Sequence, residues 1–176
     1  MNRSLVQILS LVALVASVSP QAHANQCATE SYQELTPVGA TRLSVLFWDI
    51  YDAELRTDTG RYGNASQRAL KLDYLREISS ADLVESTDEE WQRLGFRSER
   101  HQQWLTELAG MWPDVQKGDC LVLIEDAQGH ANFYNAEGLL GSIDAVEFTN
   151  DFLAIWLSEK SRFKDERNAL IGEEPR

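Results

Sequence analysis

Two arginines and two tyrosines stand where a carboxylate could be gripped beside apolar surface. Arg42 opens an alternating apolar stretch, and Arg76 follows the Tyr74-Leu75 end of another. A guanidinium presents forked donors that match both oxygens of a carboxylate. Tyr51 and Tyr74 can add phenolic hydrogen bonds while their rings contact the rest of an amphipathic molecule. The competing reading pairs Arg42 with a neighbouring acid at the sheet edge.

Other chemistry is poorly supplied. No Gly-x-Ser-x-Gly elbow, phosphate-cradling Gly-x-x-x-x-Gly-Lys loop, dinucleotide fingerprint or His-Glu-x-x-His helix occurs. Hydrolase, kinase and metalloprotease readings lose their main support, and no cofactor or metal is expected. His101, on a polar helix face, and His130, in a turn, read as solvated residues, because neither has partners at metal-ligand or triad spacing. Asp82, Glu85, Asp88, Glu89 and Glu90 lack the glycine turn and alternating ligands of a calcium loop and read as a solvated helix face. The stripe of Trp104, Met111 and Trp112 reads as core, with a ligand-pocket wall as the alternative.

The elements that must position these residues are legible from periodicity. Residues 41–56 alternate in two registers, with Leu43, Val45 and Phe47 on one face and Tyr51, Ala53 and Leu55 on another. Two strands, or one strand bent near Trp48-Asp49, follow. Residues 69–75 predict a half-buried antiparallel strand with Leu70, Leu72 and Tyr74 inward. Ser79 to Asp82 open a helix toward Leu94, and a second helix from Ser98 stops at Pro113. Residues 120–125, 132–135 and 139–143 predict a three-strand meander, followed by helices over 145–157 and from Arg162 to Gly172. The fold class is α+β, an antiparallel sheet with helices packed mainly on one face.

The first 24 residues read as a cleavable secretory signal. Arg3 gives a positive start, Leu5 to Val18 an apolar stretch too short to span a bilayer, and Ala22-His23-Ala24 a small-x-small cleavage site before Asn25. Residues 25–176 then suit one domain. The net charge of -12 opposes binding to nucleic acid or to anionic lipid, and no stable membrane insertion is expected after cleavage. Outside the cytoplasm Cys27 and Cys120 can pair as a disulfide; the alternative is two unpaired thiols, one buried at the start of a strand.

Several of these segments resemble the bacterial, exported branch of the chalcone isomerase-like family. They are residues 45–55 (Val-Leu-Phe-Trp-Asp-Ile-Tyr-Asp-Ala-Glu-Leu), 72–78 (Leu-Asp-Tyr-Leu-Arg-Glu-Ile), 117–119 (Lys-Gly-Asp), 133–143 (Phe-Tyr-Asn-Ala-Glu-Gly-Leu-Leu-Gly-Ser-Ile) and 152–157 (Phe-Leu-Ala-Ile-Trp-Leu). The match runs in unchanged order from about Gly39 to Gly172. The resemblance implies an open-faced β-sandwich whose large antiparallel sheet is covered by helices, with a ligand cleft between them. The family's plant enzymes close a flavanone ring by adding a phenolate to an enone, whereas other members bind fatty acids. Both use an arginine near the first strands as an anion anchor, a position that Arg42 matches. The enzymes' threonine, tyrosine and asparagine fall on Leu46, Leu83 and Glu90, which supply none of that chemistry. The resemblance therefore implies a non-catalytic periplasmic protein that binds a fatty acid or similar amphipathic carboxylate. An isomerase or intramolecular lyase acting on a small phenolic or enone compound, and an envelope structural or interaction module, are the alternatives.

Overall fold

The structure, a computed structural model, describes Cys27 and residues 29–173. The signal-peptide reading of residues 1–24 falls outside the described residues.

Alternating apolar residues build one antiparallel sheet of six strands in simple meander order. The strands are β1 (Thr36–Val45), β2 (Trp48–Thr57), β3 (Arg68–Tyr74), β4 (Cys120–Glu125), β5 (Ala131–Asn135) and β6 (Gly138–Ile143). Residues 41–56 are thus two strands joined by a tight turn at Leu46-Phe47, and β1 starts five residues earlier than its alternation suggests. Pairing of Leu43 with Tyr51, Tyr51 with Tyr74, and Leu70 with Leu123 puts these side chains on one face. Phe47, expected on that face, belongs to the turn instead and is 97% exposed.

The helices form where their caps predict. Ser79 accepts the Asp82 amide to start α2 (Ser80–Leu94), and Gly95 closes it with φ 91°, a left-handed conformation that glycine adopts without strain. Ser98 caps α3 (Glu99–Met111) in the same way, by accepting the His101 amide. These two helices and α4 (Val146–Leu157) cover the inner face. Trp91, Leu108, Phe133, Phe148 and Leu153 lie at its centre with 2% exposure or less. The indole N–H of Trp91 donates to the Asp151 carbonyl at 3.0 Å, tying α2 to α4.

The last helix, α5 (Lys164–Leu170), covers the β1 edge. Its approach requires Gly39, where an added Cβ would lie 2.0 Å from the Ala169 carbonyl oxygen.

The outer face carries a smaller second core. A short helix, α1 (Glu30–Glu34), lays Tyr32 and Leu35 against Ala69, Val122 and Ile124, and a disulfide joins Cys27 to Cys120 beside them. β4 is consequently buried on both faces, which explains why its sequence is a continuous apolar run.

Candidate functional site

Between the inner face of the sheet and helices α2 and α4 the packing opens into a cavity of about 460 Å³. Its floor is built from alternate residues of successive strands, Leu43, Tyr51, Leu70, Leu72, Tyr74, Leu121 and Leu123. Leu83 and Thr87 of α2 and Phe152, Ile155 and Trp156 of α4 roof it, and Trp112 and Phe133 complete the wall. Trp112 thus serves the α3 core stripe and the cavity together; its indole N–H is buried with no hydrogen-bond partner among the described residues.

The lining is mainly apolar, with buried Thr87 and half-buried Glu90 among its polar members, and exposed Arg76, Glu77, Asp82, Ser86 and Arg162 form the mouth toward solvent. Their charges are not equally available. Glu90, also in the lining, accepts from Arg93 Nε at 3.0 Å and pairs with Arg162 Nε at 3.1 Å. Arg76 has no carboxylate within ion-pair distance among the described residues, and its guanidinium lies 5.1 Å from the centre of the Trp48 ring. It is the lining cation whose charge is left uncompensated by a direct pair.

Of the four residues singled out for carboxylate chemistry, three meet at the cavity and one does not. Tyr51 and Tyr74 line it edge to face, their ring centres 5.9 Å apart, and Arg76 stands at the mouth. Burial pushes both phenols well above their ordinary range, and for Tyr74 the neighbouring Tyr51 adds to the effect. Tyr51 is further fixed by its hydroxyl, which accepts the Trp156 indole N–H at 2.8 Å. Arg42 is outside the cavity. Strand alternation gives the inward position to Leu43 and turns Arg42 to the opposite face, where it grips Asp52 through Nε at 2.7 Å and Nη2 at 2.9 Å and reaches Asp49 at 3.2 Å. The competing expectation, a pair with a neighbouring acid, describes it correctly.

The positions matched to catalytic residues divide in the same way. Leu83 and Glu90 line the cavity. Leu46 lies in the β1–β2 turn, 88% exposed, and contributes nothing to it.

Two expectations about polar residues need correction. Glu90 is not part of a solvated face, because it is held by Arg93 and Arg162 at the cavity wall. His101 is not a surface residue. It continues the inner stripe of Trp104, Leu105 and Leu108, stacks on Phe96, and lies between Ser98 Oγ at 2.7 Å and Asp151 Oδ2 at 3.0 Å. His130 stays in its turn, half-buried beside Asp126. Among the described residues no group of three or more His, Cys, Asp or Glu side chains is placed to hold a metal ion.

No protein-family model and no curated protein matches the sequence. Solved structures do match. A crystal structure of an Arabidopsis thaliana fatty-acid binding protein superimposes with a TM-score of 0.63 at 12% identity, over 79% of this chain and 87% of that one. The chain has the chalcone isomerase-like fold. At that identity the likeness shows how the sheet and helices are arranged, and the arrangement is the one expected from the quoted segments. In this fold the cavity sits between the open sheet and its helical cover.

Proposed function

We propose that the chain is an exported, non-catalytic binding protein, a bacterial member of the chalcone isomerase-like group, which holds a fatty acid or similar amphipathic carboxylate. The observation that carries this reading is the cavity with a mainly apolar interior and an arginine at its mouth that no carboxylate among the described residues neutralises. Its volume of about 460 Å³ falls within the range of roughly 300–1,000 Å³ common for small-molecule sites. Arg76 takes the head group, Tyr51 and Tyr74 contact the ligand beneath it, and the leucines of the sheet and the aromatics of α4 take the chain. Arg162, shared with Glu90, is a secondary cation. The binding activity named for the Arabidopsis structure supports this choice of ligand class.

Export to the periplasm fits the apolar start of the sequence and the Cys27–Cys120 disulfide, which persists in oxidising compartments. No helix among the described residues is long and apolar enough to cross a membrane.

An envelope module without a ligand would fill the sheet–helix interface, so the open cavity weighs against that alternative. An isomerase would need a polarising hydroxyl where Leu83 stands. Native mass spectrometry of the protein from its own host, followed by extraction, tests the reading. A bound fatty acid that disappears on Arg76→Ala supports it. Empty protein that no fatty acid stabilises contradicts it, and turnover of a chalcone would establish the enzyme instead.

A further inference from the structure

The tip of the β1–β2 hairpin violates two preferences at once. Leu46 and Phe47 are 88% and 97% exposed, and they are flanked by Trp48 at 62% and Val45 at 38%. This puts four large apolar side chains in a row at a protruding turn, where polar residues are the rule. The backbone adds a second conflict. Leu46 has φ 58°, a left-handed conformation that glycine and asparagine adopt readily and leucine does not. Neither turn formation nor solubility accounts for leucine at this position.

The tip is also continuous with the cavity. Leu43, Val45 and Ile50 of the same hairpin line it, and Arg76 at its mouth stacks on Trp48. Just below the tip Arg42 is shared by two carboxylates, Asp52 and Asp49, and Ser44 donates to Asp49 at 2.6 Å, so no unpaired cation remains there and the cluster keeps an excess of negative charge.

We propose that this hairpin tip docks on a zwitterionic phospholipid surface. Leu46 and Phe47 enter the boundary between head groups and acyl chains, Trp48 sits at the interface where tryptophan is favoured, and Arg76 faces head-group phosphate. A protein partner fits less well. Each side of a stable complex buries roughly 800 Å², more than four side chains at a convex turn can offer. The net charge of -12 disfavours an anionic leaflet and leaves the zwitterionic one. Docking brings the cavity mouth to the bilayer, so that a lipid-derived ligand passes between them without crossing water. That service rests on the ligand reading; the docking itself does not.

The test uses full-length wild-type protein and a Leu46→Asn/Phe47→Ser variant, expressed and purified alike. Asparagine suits the left-handed turn, and thermal melting verifies that the fold is intact. Both proteins are floated with phosphatidylcholine–phosphatidylethanolamine vesicles containing brominated acyl chains, and tryptophan emission is recorded. The N-terminal apolar stretch is common to both, so the difference between them reports the tip. Docking predicts that wild type partitions into vesicles with a blue shift and bromine quenching assigned to Trp48. The variant should partition at least about tenfold more weakly, because it gives up the burial of two large apolar side chains. Equal partitioning of the two proteins, or none by wild type, overturns the proposal. So does self-association that the variant abolishes, which would make a second copy the occupant. Vesicle docking by a wild type that binds no soluble fatty acid supports docking while contradicting the ligand reading.

Discussion

The indole N–H of Trp156 donates to the Tyr51 hydroxyl at 2.8 Å, so one hydrogen bond ties α4 to β2 across the cavity. Both side chains belong to the cavity lining, and the bond sets how far the helix stands from the sheet. Tyr51→Phe keeps the ring and leaves the indole N–H without its acceptor. The expected cost is about 1 kcal/mol of stability, measured by urea unfolding.

Tyr51 and Tyr74 also predict a response to alkali. Burial raises both phenols above the ordinary value near 10, so the folded protein holds their protons more tightly than the unfolded chain does. The resulting stability is complete at neutral pH and is lost as pH rises through 10 toward the folded values. Urea midpoints measured from pH 8 to 11 should fall progressively above pH 10, and less steeply in Tyr74→Phe.

The Cys27–Cys120 disulfide spans a sequence separation of 93 and fastens α1 over the outer core. Replacing both cysteines by serine should lower stability by about 2–4 kcal/mol. It should also expose the segment around Tyr32 to limited proteolysis before the sheet itself is cut.

Arg68 grips Glu125 through Nε at 2.7 Å and Nη2 at 2.8 Å, and the same Nη2 reaches Asn150 of α4. Glu125 is only 5% exposed, so Arg68→Met strands a buried carboxylate. A loss of about 3–5 kcal/mol is expected, and Arg68→Met combined with Glu125→Leu should recover much of it. Thermal and denaturant unfolding of the two variants measure the difference.

The local signals in the sequence were reliable where one preference dominated. Ser79, Ser98 and Pro113 mark helix ends by capping and by the missing amide, and the alternation of residues 69–75 fixes the inward face of β3. What failed depends on contacts between distant segments. The burial of His101 needs Asp151, fifty residues away, and nothing near His101 announces it. Trp156 and Arg162 reach the cavity only because α4 and the segment after it pass over the sheet, and the helical stripe alone does not say which residues will face a void. Arg42 illustrates a narrower lesson. Its neighbour Leu43 already occupies the inward position, and period-2 alternation requires Arg42 to point away. The register of β1 against β2 then places Asp52 directly opposite it.

Head-group capture by Arg76 is the central claim, and titration calorimetry with hexadecanoate below its micellar concentration tests it most directly. Wild type should show saturable binding at one site, and Arg42→Ala should match it, because Arg42 spends its donors on Asp52 and Asp49 outside the cavity. Arg76→Ala should bind at least about tenfold more weakly, the loss expected for a charge-assisted hydrogen bond. Absence of binding by wild type, or equal weakening in Arg42→Ala and Arg76→Ala, would contradict the account.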